Sequence, residues 1–107
     1  VLSAGEQQRL AMVRALSLEP EVLFLDEPTA SLDPASVAAI ETLIRTADTH
    51  GVKIILVTHD IGQARRLAEE IVFIHRGQIT EHTPATEFFQ QPRSESARAY
   101  LEGRIVL

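Results

Sequence analysis

Two acidic residues and a histidine stand where two apolar segments run out. Val22-Leu23-Phe24-Leu25 leads into Asp26-Glu27, and Ile54-Ile55-Leu56-Val57 leads into Thr58-His59-Asp60. In open α/β sheets a ligand lies beyond the carboxyl ends of the strands, so side chains delivered there are the first candidates for chemistry. A carboxylate such as Asp26 suits Mg²⁺, which takes one or two protein carboxylates and completes its shell with water and phosphate oxygens. A second acid beside it, Glu27, could activate a water for attack on phosphorus. His59 could hydrogen-bond the phosphoryl oxygens or that water. Acidic residues also end strands simply because strands end at the surface, and the Asp-Glu pair alone fits both accounts.

A second candidate is the segment Leu2-Ser3-Ala4-Gly5-Glu6-Gln7-Gln8-Arg9. Ser3 and Glu6 make the S-x-x-E pattern of a capping box at a helix start. A capped helix N-terminus presents unpaired backbone N–H groups and the positive end of the dipole, a cradle for phosphate to which Ser3 adds a hydroxyl. Many helices begin this way without binding anything.

These residues need elements to hold them. The two apolar segments are continuous and β-rich, as expected of strands in a parallel sheet covered on both faces. Between them Asp33 can cap a helix that Pro34 begins. Val37, Ile40, Leu43, Ile44 and Ala47 repeat along it at steps of three and four, and Gly51 closes it. Residues 22–57 thus predict a βαβ crossover. A helix over 5–18 precedes it, with Leu10, Val13, Leu16 and Leu18 along one side, ending at Glu19-Pro20. After it come a short helix at 61–68, a hairpin of 71–74 and 78–81 turning at Arg76-Gly77, and two short helices at 84–90 and 94–102. The whole reads as one piece of an α/β layer structure.

Composition sets the bounds. Ten Lys and Arg against fifteen Asp and Glu leave a net charge of −5, against a basic, nucleic-acid-coating surface. With 45% hydrophobic and 23% charged residues in a chain of 107, the mixture is that of a globular protein rather than a disordered one. The absence of Cys excludes disulfide scaffolds and thiol catalysis. No apolar run approaches the ~20 residues of a membrane-spanning helix, so a membrane role would come through a partner. His50, His75 and His82 have no metal-ligand spacing, and Arg65-Arg66 with Glu69-Glu70 reads as a solvated helix face. Phe88 and Phe89 suit packing of the tail; Tyr100 carries no signal of its own.

In their order along the chain, Leu2-Ser3-Ala4-Gly5-Glu6-Gln7-Gln8-Arg9, Leu23-Phe24-Leu25-Asp26-Glu27-Pro28-Thr29, Ser31-Leu32-Asp33 and Thr58-His59-Asp60 closely resemble the ATP-binding subunit of ABC transporters. The resemblance covers residues 2–82 nearly without a gap. It implies a partial P-loop-NTPase-like parallel sheet flanked by helices, with a C-terminal β-hairpin and short helices. Residues 1–107 would form the C-terminal part of that domain: signature helix 3–18, Walker B strand 22–27, D-loop 31–33, switch His59 and tail 83–107. Asp26 would then hold Mg²⁺, Glu27 would polarise the attacking water, and His59 would sense the γ-phosphate. Ser3, Ala4, Gly5 and Glu6 would meet the γ-phosphate of an ATP held mainly by a second copy, and Ser31 and Asp33 would line the interface between copies.

The pattern departs from the family in three places. Ala4 stands where Gly is usual, which matters only if that position needs φ > 0. Glu6 stands where Gln is common and puts a negative charge near a polyphosphate. No G-x-x-x-x-G-K-[ST] occurs, so the phosphate-cradling loop and its Lys are missing, as are the adenine-stacking aromatic and the Gln-containing loop that the family places upstream. The opening Val1-Leu2-Ser3 accordingly reads as cut from the middle of something larger.

The implied role is the ATPase of an importer, at the cytoplasmic face of the membrane. Its partners would be a second ATPase subunit, transmembrane permease subunits and a solute-binding protein, with no nucleic acid. The stretch from Arg76 to Gly103 resembles subunits serving polar amino acids or inorganic oxyanions such as phosphate or tungstate. Two alternatives stay open: a non-transport relative in DNA repair or translation, and an inactive dimerisation fragment without the P-loop.

Overall fold

The computed structural model describes residues 1–107, which divide into two compact units, Val1–Thr58 and His59–Leu107. The first unit holds helix α1 (Ala4–Leu16), strand β1 (Val22–Asp26), helix α2 (Pro34–Thr49) and strand β2 (Lys53–Val57). The strands pair in parallel, with Val22 opposite Lys53 and Asp26 opposite Val57, and α2 connects them as the sequence predicts. Both strands therefore end at one edge.

Local chemistry sets the helix limits. Asp33 caps α2 by accepting from the Ser36 N–H, and Pro34 follows in the first turn, where no N–H is needed. At the other end Gly51 takes φ +89°. Its N–H reaches the Asp48 carbonyl at 3.0 Å while the Val52 N–H reaches that of Ala47 at 3.1 Å. This pair of bonds is a Schellman closure, which needs a left-handed residue that glycine takes without strain.

Two expectations of packing need correction. The strands are not covered on both faces. Burial alternates along β1, with Leu23 and Leu25 buried while Phe24 is 65% exposed. The apolar run is continuous, yet within this chain only one of its faces is buried. In α1 the buried residues are Gly5 and Met12, whereas Leu10 and Val13, and Leu18 just beyond the helix, are exposed. The helix is thus turned by its contact with α2 away from the stripe that its aliphatic residues mark. In α2 the periodicity holds: Ile40, Ile44 and Ala47 are buried.

The second unit comprises helix α3 (Ile61–Leu67), strands β3 (Glu70–His75) and β4 (Gln78–Pro84), and helices α4 (Ala85–Gln90) and α5 (Glu95–Leu101). The hairpin turns at Arg76 and Gly77, both at positive φ, as a two-residue turn requires to match strand twist. A bulge follows, since Phe73 faces Glu81 but Ile74 faces Ile79, and it leaves Thr80 outside the pairing. The core is aromatic. Phe73 lies 5.9 Å from Phe88 and 5.5 Å from Tyr100, and Phe88 meets Phe89 edge-on at 5.2 Å.

Candidate functional site

The first cluster of candidates gathers at the N-terminus of α1. Ser3 is its N-cap and is exposed. The Ser3 hydroxyl oxygen accepts from the Glu6 N–H at 3.1 Å, and the Glu6 carboxylate accepts from the Ser3 N–H at 3.0 Å. The expected capping box is therefore formed in both directions. The backbone and hydroxyl hydrogen bonds from Ser3 hold the Glu6 carboxyl below its usual range, so it is ionised at neutral pH. What this leaves for a ligand is specific. The Ser3 hydroxyl would have to swing its proton from the Glu6 carboxylate to a ligand, whereas the Ala4 and Gly5 N–H groups lie in the first turn, beyond the reach of the intrahelical ladder. Three donors at the positive end of a helix match the acceptor oxygens of a phosphoryl group. Ala4 is not among the residues with positive φ, so the methyl at this position is conformationally free of cost.

Gly5 is buried, and the reason lies in α2. A Cβ built on Gly5 would come 2.7 Å from Ser36 Cβ, collide with Ser36 Oγ and lie 3.9 Å from Asp33 Oδ1. The Ser36 hydroxyl in turn donates to Asp33 Oδ1 at 2.5 Å, and the Ser36 N–H donates to Oδ2 at 3.2 Å. These two bonds hold the Asp33 carboxyl below its ordinary value. The structure thus brings Ser3, Ala4, Gly5, Glu6 and Asp33 to one corner, where the N-termini of α1 and α2 meet. Asp33 works there as a helix cap.

The second cluster is the shared carboxyl edge of the strands. Asp26 is exposed at the end of β1, opposite Val57. Glu27 follows, half-buried, with its N–H bonded to the Val57 carbonyl at 2.8 Å and its backbone at φ +49°. A left-handed conformation costs a non-glycine residue about 1–2 kcal/mol, so the sheet bond at Glu27 holds a strained turn immediately after Asp26. Ser31, at φ +63°, is a second such position in the loop leading to Asp33. No group of three or more His, Cys, Asp or Glu gathers that could hold a metal alone. A lone strand-end carboxylate with an acidic neighbour fits Mg²⁺, which keeps waters and phosphate oxygens as its other ligands, rather than a cation needing an all-protein cage.

His59 follows β2 by two residues and belongs to the second unit, where it is exposed. Its carbonyl accepts a hydrogen bond from the Tyr100 hydroxyl at 3.2 Å. Asp60 caps α3, accepting from the Gln63 N–H at 3.0 Å.

Two residues of consequence escaped sequence reasoning. Tyr100 is one, because nothing in a lone tyrosine of the tail announces a partner at His59. Glu81 is the other. It is buried, and its carboxylate accepts from the N–H groups of Arg93 and Ser94 and from the hydroxyls of Ser94 and Thr83, all within 2.8–3.0 Å. Period-two alternation from Phe73's partner would have placed Glu81 and Thr83 on the inner face, but a buried acid contradicts the usual preference.

Comparison with known proteins gives concordant results. The family described as "AAA domain, putative AbiEii toxin, Type IV TA system" matches residues 1–62. The phosphate import ATP-binding protein PstB of Thermotoga maritima is 45% identical over 104 residues, covering 97% of this chain and 41% of that protein. The glutamine transport ATP-binding protein GlnQ of Geobacillus stearothermophilus is 39% identical over 100 residues, covering 94% of this chain and 41% of that protein. Among solved structures, the dimeric post-hydrolysis state of the ATP-binding cassette MJ0796 bound to ADP and Pi superposes with a TM-score of 0.67 at 34% identity. That match covers 78% of this chain and 36% of the other. The chain spans about two-fifths of the length of the curated relatives it matches.

Proposed function

We propose a function from one premise: this chain belongs to the AAA-domain family matched by its first 62 residues and, with its relatives, to the ATP-binding subunits of ABC transporters. The polypeptide that carries these residues binds ATP between two copies and hydrolyses it to drive import of a small polar solute. An inorganic oxyanion such as phosphate is the first substrate class and a polar amino acid the second, in line with the named roles of the relatives. The observation that carries the reading is the corner at Ser3: an exposed hydroxyl and two N–H groups at a helix N-terminus, on a sequence otherwise matched to ATP-binding subunits.

The roles follow from the chemistry. Ser3, Ala4 and Gly5 donate to the γ-phosphate of a nucleotide held mainly by the second copy, while Glu6 keeps Ser3 in place through the capping box. Asp26 would hold Mg²⁺, whose charge, when bound, offsets that gathering on the phosphoryl oxygens. Glu27 accepts a proton from the attacking water, and His59 donates to the γ-phosphate and reports its presence. Asp33 and Ser31 lie beside the same contact between copies and link one site to the other. No helix of this chain is long and apolar enough to cross a membrane. Permease subunits would provide the path. A solute-binding protein would deliver the cargo, and the assembly would hold this subunit at the cytoplasmic face.

The test is Glu27→Gln in the full-length polypeptide. Loss of a general base costs on the order of 100- to 10,000-fold in turnover, while ATP binding stays and a closed dimer accumulates. Hydrolysis by Glu27→Gln at the parental rate would remove Glu27 from the mechanism.

A further inference from the structure

Gly5 sits in the first turn of α1 with ordinary helical backbone, so its lack of a side chain is not a conformational need. In a helix, alanine is favoured over glycine. The need is steric and comes from one residue of another helix. Ser36 Cβ occupies the space a Gly5 side chain would take, at 2.7 Å, and Ser36 Oγ lies deeper still in that space. Ser36 is not free to swing aside. Its hydroxyl is fixed to Asp33 Oδ1 at 2.5 Å, a bond that rotating it away would break, while its N–H holds Oδ2 at 3.2 Å and keeps its backbone, and with it Cβ, in place.

We propose that Ser36 is a positioning residue: clamped by Asp33, its side chain forms the seat on which Gly5 rests, and so sets where α1 presents Ser3 and the first-turn N–H groups. This rests on the function proposed above and deepens it by naming a residue that touches no phosphate yet governs the donors that do. The coupling is mechanical. A methyl on Gly5 is more than an ångström short of ordinary contact with Ser36, and α1 must lift by a comparable amount to admit it. All three donors then shift together relative to the phosphoryl group. Because the seat is made by the residue that Asp33 clamps, a movement of the Ser31–Asp33 loop is passed to the N-terminus of α1 through Ser36.

Exchanging side-chain size between the two positions tests this in the full-length polypeptide, with steady-state ATP hydrolysis as the readout. Misplacing reacting groups by about 1 Å costs on the order of 100-fold, which is the expected loss in kcat at saturating MgATP for Gly5→Ala. Adding Ser36→Gly removes both colliding atoms and should restore at least about tenfold of that loss, a coupling in the range seen for residues in contact. Ser36→Ala, which keeps Cβ, should restore less. If Gly5→Ala fails to fold, Ser36→Gly carries the test alone: without its seat α1 loses its setting, and kcat falls about tenfold while KM changes little. A Gly5→Ala/Ser36→Gly double variant as slow as Gly5→Ala, or Ser36→Gly with parental kcat, overturns the proposal. Absence of hydrolysis by the parental polypeptide overturns the function itself and the proposal with it. Normal parental hydrolysis without exchange between positions 5 and 36 overturns this inference alone.

Discussion

The Tyr100 hydroxyl donates to the backbone carbonyl of His59 at 3.2 Å, joining the last helix to the residue that follows the parallel sheet in sequence. The ring of Tyr100 is held in turn by Phe73, 5.5 Å away in β3. The tail thereby fixes the peptide that carries a candidate phosphate-sensing side chain.

Tyr100→Phe keeps the ring and deletes that bond. A hydrogen bond of this kind contributes about 0.5–1.5 kcal/mol, so kcat for ATP should fall by about two- to tenfold while the melting temperature moves little. Parental kcat in Tyr100→Phe would show that His59 keeps its position without the tail.

Glu81 should govern the acid stability of the second unit. Burial pushes its carboxyl up, but the N–H groups of Arg93 and Ser94 and the hydroxyls of Ser94 and Thr83 together hold it below the usual value. A carboxyl lowered on folding stabilises at pH above its unfolded value, about 4.3, and that contribution is lost as pH falls through the folded value. Urea unfolding between pH 7 and 3 should therefore show stability declining below about pH 4.3. Glu81→Gln turns an amide N–H₂ toward donors and should cost about 2–3 kcal/mol at pH 7, with a flatter curve at acid pH. An unchanged curve in Glu81→Gln would assign the acid sensitivity elsewhere.

Glu6 offers a gain rather than a loss. Glutamine at this position completes the capping box equally well, since its side-chain oxygen can accept from the Ser3 N–H. The ionised Glu6 lies in the same turn as the proposed donors for phosphate, and its like charge opposes that of a nearby phosphoryl group, screened by water. Glu6→Gln should lower the MgATP concentration for half-maximal dimerisation by about two- to fivefold, an effect that shrinks in high salt. Equal concentrations for both proteins would mean that Glu6 points its charge away from the nucleotide.

Arg93 tests whether the tail is held by charge or by backbone. Its guanidinium pairs with Glu87 at 2.8 Å, while its N–H serves Glu81. An exposed ion pair contributes about 0–1 kcal/mol, so Arg93→Ala, which keeps the N–H, should shift unfolding far less than Glu81→Gln. Equal shifts would place the stabilisation in the ion pair.

What the sequence determined by itself is whatever is settled within a few residues. The Ser3–Glu6 box, the Asp33 cap, the Gly51 closure and the Arg76-Gly77 turn are each made by neighbours three to five positions apart, and side-chain type suffices to specify them. The order of strand, helix and strand, and with it the delivery of Asp26 to the strand edge, follows from the same short-range patterns. Tertiary structure decided the rest. Which side of α1 is buried, why position 5 must be glycine, which face of β1 is covered and why Glu81 can lie inside all depend on partners far along the chain. Ser36 for Gly5 and Tyr100 for His59 are examples. Close packing fixes those contacts only once the elements have met, because the energy of a buried atom belongs to what surrounds it and not to the residue that carries it.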